Sequence, residues 1–257
     1  MRLLFTILLF AAFGGIASAA FAVVFLWVRD EHSARILPHF VSFATGALLG
    51  AALLALLPEA IEGAGPGAAH RIGLTLILGL GVFFVIEKLV LWWHTHAHAH
   101  GDHAKARDHA SGVLVLVGDS LHNALDGVLI AAAFLTSNSL GMVTTLAVAA
   151  HEIPHRVGDF AILVQAGLSR PRALLLNLAT GLASVVGAAL AWAALRQAMG
   201  ALPYALAFAA AGFLYIALAG LIPGLQRRAD PRASALQVLL MSAGVTLVAC
   251  AERLSHQ

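Results

Sequence analysis

Apolar runs of about twenty residues recur along the whole chain, separated by short breaks of Pro, Gly or charge. A helix of that length crosses the hydrocarbon core of a bilayer. No water in that core can satisfy a backbone N–H or C=O, so such runs must fold as helices that satisfy their own backbone. Composition agrees: 60% of residues are hydrophobic, 11% are charged and the mean hydropathy is +0.89, against about 25% charged in soluble domains. The expected fold is an all-α membrane protein, with residues 1–257 forming a single transmembrane domain.

Charge and Pro/Gly breaks divide the chain into eight spans. The first is Leu3 to Val28. Its start, MRLLFTILLFAAFGGIASA, resembles a secretory signal ending in A-x-A at Ala17 and Ala19. The apolar run continues through Phe21, Phe25 and Trp27, however, so a retained first helix is expected. The others are Leu37–Leu57, closed by Pro58–Glu59; Ile72–Trp93; Val113–Leu135; Leu140–Gln165; Ala173–Leu195; Pro203–Ile222; and Ala233–Ala251.

Basic residues set the orientation, because Lys and Arg accumulate in cytoplasmic loops. Loops after odd-numbered spans hold Arg29, Arg35, Lys105, Arg107, Arg170, Arg172, Arg227, Arg228 and Arg232; the other side holds Arg2, Arg71, Arg196 and Arg253. That bias puts both termini outside the cytoplasm, the protein in the cell membrane, and the loop of residues 94–110 inside. The net charge of +2, with no single basic cluster, excludes nucleic acid as an expected partner. The lone Cys250 excludes an intrachain disulfide or a multi-cysteine metal site. Expected partners are a divalent metal ion, the lipid bilayer and a second copy of the chain.

Two spans break the apolar rule. The fourth carries Asp119, His122, Asn123 and Asp126, whose spacing puts them on one helical face. The fifth carries His151, Glu152, His155 and Asp159, with Arg156 beside them. A charge at mid-membrane costs at least ~2.5–3.5 kcal/mol, so seven ionisable groups on two facing stripes need partners, water or a cation. Imidazole nitrogens and carboxylate oxygens together suit Zn²⁺ and related divalent metals. His122, Asp126, Glu152 and His155 are expected to converge on one metal-sized site. Pro154 removes a backbone donor and frees the carbonyl near Ala150, which a membrane tolerates beside a cavity.

GDSLHNALDG at 118–127 and HEIPHRVGDF at 151–160 resemble the His-Asn-x-x-Asp-Gly and His-Glu-x-Pro-His-Glu-x-Gly-Asp patterns of the ZIP (Zrt-, Irt-like) family of divalent-metal transporters. Looser matches are PEA at 58–60, Glu87–Lys88 and GFLY at 212–215, and the likeness covers nearly the whole chain. The resemblance implies eight helices in a 3+2+3 arrangement, the central fourth and fifth forming the metal site, and transport of metal into the cytoplasm. The ligands it implies are His122, Asn123, Asp126, His151, Glu152 and His155. It places Asn177 near a second, adjacent metal site, with Asp119, Asp159 and Arg156 as further members or modulators. The metal would be substrate, with no cofactor. Zn²⁺ ranks first for its three His ligands, and Fe²⁺, Mn²⁺, Co²⁺ and Cd²⁺ stay open. The chain departs from the pattern at Arg156, where the family has Glu, and at Ala51 and Ala55, where many members have Asp and His. Arg156 either lies among the carboxylates in place of a second cation or turns toward Asp159 and the headgroups.

His94, His96, His98, His100, His103 and His109 crowd the loop between the third and fourth spans. A flexible run of imidazoles binds borderline cations exchangeably, so metal capture at the cytoplasmic exit is its expected role. The enzyme alternative is an intramembrane zinc protease using HEIPH, with His151 and His155 as ligands and Glu152 as base. Pro154 within the motif and the position of LDG before it rather than after it argue against that. A metal receptor without transport, or a proton-coupled carrier of another solute, is a further rival.

Overall fold

A computed structural model describes residues 1–18, 20, 30–97, 104–227 and 230–255. Among them there is no β-strand. The helices are α1 (Arg2–Ala12), α2 (Asp30–Gly50), α3 (Leu57–Gly63), α4 (Ala69–Ala97), α5 (Ala104–Thr136), α6 (Asn138–Gln165), α7 (Arg170–Thr180), α8 (Leu182–Leu195), α9 (Leu202–Tyr215), α10 (Ile222–Gln226) and α11 (Pro231–Ser255). Wider π-helical turns at Phe13–Ala17, Ala51–Leu56 and Ile216–Leu221 join pieces that would otherwise be separate.

Among the described residues, six helical stretches are long and apolar enough to cross a membrane: Ile36–Gly63, Ala69–Leu89, Val115–Thr136, Arg170–Leu195, Met199–Gln226 and Pro231–Arg253. The expected first span is present as the shorter apolar helix Arg2–Ile16, and residues 21–29 lie outside the described ones. The expected fifth span is α6. Its 28 residues would reach about 42 Å at 1.5 Å per residue, but Glu152, Arg156 and Asp159 sit within it.

Several helices overrun the apolar runs that announce them. α5 begins at Ala104 rather than near Val113, and α4 continues to Ala97. Apolarity marks what lies in lipid, whereas intrahelical hydrogen bonding continues into polar sequence. Consequently His94, His96 and His109 lie on helical backbone, and His98, His100 and His103 lie outside the described residues. Pro58 does not end its helix either. It sits at the start of α3, just after a π turn, where its missing N–H costs least.

One residue, Ser137, separates α5 from α6, and its Oγ accepts the Leu140 N–H at 3.1 Å. That cap starts α6 at once and folds the two helices back on each other. Because the two polar stripes lie at similar distances along the chain from this turn, they meet side by side. α5 also packs closely on α8, and α2 on α11. Glycines make both crossings. A Cβ on Gly127 would fall 1.9 Å from Ser184 O, and one on Gly187 would fall 2.0 Å from Ala124 O. Gly46 and Gly244 make the α2–α11 approach in the same way, as small residues do where helices associate in lipid. Between Ser137 and the stripes the bundle is plugged by apolar side chains, among them Ala133, Phe134, Leu140, Val143 and Ala147, all buried.

Candidate metal centre

The stripe of α5 and the stripe of α6 bring four donors together. His122 Nε2 lies 3.2 Å from His151 Nε2, 3.4 Å from Glu152 Oε1 and 3.8 Å from Asp126 Oδ2. His151 Nε2 lies 3.5 Å from Asp126 Oδ2 and 3.9 Å from Glu152 Oε1. All four donors lie within 4.8 Å of one another. Four ligands at zinc-like bond lengths of ~2.0–2.2 Å on a tetrahedron stand about 3.3–3.6 Å apart, so the observed edges are those of a slightly expanded metal-sized tetrahedron.

The surroundings orient these atoms. His151 Nδ1–H donates to Ala147 O at 3.1 Å, which leaves the Nε2 lone pair aimed at the cluster. Asp126, His151 and Glu152 are buried, and His122 has one-fifth of its side chain exposed. Asp126 Oδ2 and Glu152 Oε1 accept no hydrogen bond among the described residues. Buried carboxylate oxygens left in that state are costly unless a cation or a charged donor meets them.

His155 turns away from this group. Its Nδ1 lies 3.0 Å from Asp159 Oδ2 and 3.8 Å from Asp119 Oδ1, so Asp119, His155 and Asp159 form a neighbouring cluster. Its ring stacks on that of His122 at 5.3 Å. The expected convergence of four named residues is thus altered by one member, with His151 standing where His155 was expected.

Arg156 is wholly buried. It pairs with Asp119 and Glu152 rather than with Asp159 or the headgroups. Nη1 donates to Asp119 Oδ2 at 2.7 Å, to Asn177 O at 2.7 Å, to Asn177 Oδ1 at 3.1 Å and to the Thr180 hydroxyl. Nη2 donates to Asn123 Oδ1 at 2.6 Å, and Nε lies 2.8 Å from Glu152 Oε2. Asn123 therefore faces the guanidinium rather than the four-donor cluster, and its amide donates back to Asp119 Oδ1 at 2.9 Å. Asn177, the residue placed near a second site, belongs to this oxygen cage.

Two contributions escaped the sequence reading. Thr180 is a lone hydroxyl on an apolar helix and gave no signal. Glu87 and Tyr215 belong only to the looser motif matches, yet Tyr215 Oη donates to Glu87. Both line a cavity of 420 Å³ that also touches Asp119, His122, His155 and Asp159. The cavity lies on the side of the four-donor cluster away from Ser137, lined by α4 at Phe83, Ile86 and Glu87 and by α5 at Val115 and Gly118.

Fold and site together define a multi-pass helical membrane protein with side chains that could hold a metal ion clustered between two adjacent helices. Comparison with known proteins agrees. The family model described as ZIP Zinc transporter matches residues 2–113 and 94–252. The chain is 36% identical over 233 residues to the zinc transporter ZIP13 of Pongo abelii, covering 86% of this chain and 68% of that protein. It is 35% identical over 267 residues to the human zinc transporter ZIP13, covering 86% and 71%. To the zinc transporter SLC39A7 of Rattus norvegicus it is 33% identical over 323 residues, covering 91% and 69%. This chain belongs to the ZIP zinc transporter family. Its members are transporters rather than enzymes, and metal is their substrate and not a cofactor. The protease alternative also lacks its geometry, since the two imidazoles of HEIPH point into different clusters.

Proposed function

We propose that this protein carries Zn²⁺ across the cell membrane into the cytoplasm through the site between α5 and α6, the fourth and fifth of eight spans in a 3+2+3 arrangement. The observation that carries the reading is the four-donor tetrahedron of His122, Asp126, His151 and Glu152, built from two nitrogens and two oxygens at metal-ligand spacing. Two imidazoles favour Zn²⁺ over harder cations, while Fe²⁺, Mn²⁺, Co²⁺ and Cd²⁺ compete by the same donor chemistry. The names of the relatives point the same way.

Access supports the proposed direction. Apolar packing covers the centre toward Ser137, and the cavity adjoins it on the opposite side. The basic residues assign that opposite end, with its histidine-rich segment, to the cytoplasm. A metal held at the centre is therefore poised to leave inward. The outward-turned apolar residues of α4 and α11, such as Ile77, Leu78, Val238 and Leu239, are the surface offered to lipid or to a second copy.

Uptake by the purified protein in liposomes tests this, with Zn²⁺ inside measured against competing cations. Zn²⁺ should enter down its gradient and compete best. Asp126→Asn should weaken binding by at least about tenfold, since even an outer-shell partner is worth ~10–100-fold to a metal site. Wild-type uptake by Asp126→Asn would overturn the reading.

A further inference from the structure

We propose that Glu87 is the release carboxylate of this protein: an anion in the cavity wall, held in place by Tyr215, that lowers the barrier for a divalent cation leaving the four-donor centre. The inference rests on the transport reading above and deepens it by assigning a rate-setting residue outside α5 and α6.

Position supports it first. Glu87 lies within the apolar stretch Ala69–Leu89, on a helix that carries no other acidic residue. An ionisable side chain inside a span is costly and marks a pathway unless a partner accounts for it. No cation accounts for this one. The neighbouring Lys88 Nζ lies over the Phe84 ring, 5.6 Å from its centroid. The polar partner of Glu87 among the described residues is the Tyr215 hydroxyl, and a neutral donor does not cancel a carboxylate charge. That carboxylate lines the same cavity as Asp119, His122, His155 and Asp159.

The local packing fixes its direction. Phe83 and Glu87 stand four residues apart on α4 and share a face, and together they hold both ends of Tyr215, the last residue of α9. The Phe83 and Tyr215 rings stack at 6.2 Å, and Phe83 also meets Phe208 at 5.1 Å. Gly212 makes the room, since a Cβ there would fall 2.7 Å from Phe83 Cζ. Glu87 and Tyr215 thus present oxygens among the apolar lining residues Ile86, Ile216 and Leu221.

Release needs such an anion. A cation leaving two imidazoles and two carboxylates gives up its donors before water has replaced them all. A cavity of 420 Å³ admits water at ~30 Å³ per molecule, but its apolar walls stabilise no charge. Glu87 is not a member of the four-donor cluster. It therefore attracts the cation more in transit than at the centre, and an interaction stronger in transit than in the bound state speeds the step without weakening binding.

Stopped-flow release of Zn²⁺ from the loaded, purified full chain to a fluorescent chelator, paired with calorimetric affinity, decides it. Glu87→Gln keeps the side-chain shape and removes the charge. Release should slow by about tenfold, the scale of one carboxylate acting on a divalent ion through water, with affinity and unfolding temperature unchanged. Glu87→Asp should recover part of the rate. Tyr215→Phe should slow release by less, and the double variant should be no slower than Glu87→Gln, because Tyr215 acts through Glu87. Wild-type release by Glu87→Gln overturns the proposal. Weaker binding or a lower unfolding temperature in Glu87→Gln makes the residue a ligand or a structural element and overturns it as well. Further slowing in the double variant overturns the role of Tyr215. Asp126→Asn separates the two readings. If it takes up Zn²⁺ normally, the centre fails and Glu87 has nothing to release; if it loses tight binding while Glu87→Gln releases as wild type, only the role of Glu87 fails.

Discussion

Arg156 holds a permanent positive charge within α6, surrounded by Asp119, Glu152, Asn123, Asn177 and Thr180 oxygens. Arginine is effectively never deprotonated, so that charge cannot be lost by titration. Desolvating such ions costs several kcal/mol each, offset only by close partners of good geometry; here Nη1 and Nη2 donate to oxygens and Nε forms an ion pair with Glu152 Oε2 at 2.8 Å. Arg156→Gln should leave two buried carboxylates facing each other and destabilise the protein by about 3–5 kcal/mol, the range for breaking a buried pair; denaturant unfolding in detergent measures it. Arg156→Glu inverts the charge inside an oxygen-lined cage. Its fold should become metal-dependent, with added Zn²⁺ raising the unfolding temperature and calorimetry showing a second tight event absent from the wild type. No additional event and no metal-dependent stabilisation would show that the cage is specific for guanidinium. The two stripes themselves were legible, because helical periodicity alone puts Asp119, His122, Asn123 and Asp126 on one face. What periodicity left unresolved is how the stripe of α6 divides. His151, His155 and Asp159 recur every four residues, whereas Glu152 and Arg156 form their own four-residue pair one step round the helix. That second pairing was available in the sequence as a spacing; its target was not, because Asn177 and Thr180 arrive from α7 by long-range packing.

At the scale of the element, glycine rather than the polar residues sets how closely α5 approaches its neighbours. The reciprocal contacts at Gly127 and Gly187 leave no room for a Cβ on either helix, and both lie within a turn or two of Asp126 or Asn123. Gly187→Val should force α5 and α8 apart and destabilise the protein by about 1–3 kcal/mol or more, as overpacking does. Because α5 carries His122 and Asp126, Zn²⁺ affinity should fall with stability, measured by thermal unfolding and titration of the same preparation. An unchanged affinity would mean that α6 alone positions the donors. Sequence announced most of these elements through their apolar runs. It misplaced their ends because a run of apolar residues reports the lipid boundary and not the last hydrogen-bonded turn. α6 is the instructive case. Its apolar flanks identified it as a span, yet the charged groups that give the site its chemistry also make it the least lipid-like of the long helices.

For the whole molecule, access and charge are independent indicators of direction. The cavity beside His122 and His155 lies on the side of the centre away from Ser137, lined by α4 at Phe83 and Glu87 and by α5 at Val115 and Asp119. The apolar plug of Phe134, Leu140 and Val143 closes the opposite end. Basic residues favour the cavity side as the cytoplasmic one; in the proposed orientation this conformation would release metal inward. A cysteine scan tests that assignment. Cys250 is exposed, so the background should be Cys250→Ser. Ala104→Cys, at the start of α5, should resist an impermeant thiol reagent in intact cells and react once the membrane is opened, while Ala69→Cys, at the start of α4, should react in intact cells. The reverse pattern would turn the molecule over and make the same cavity an outside entrance. The centre would keep its ligands, but the path would then run toward the apolar plug, and opening that plug would become the step that delivers metal to the cell.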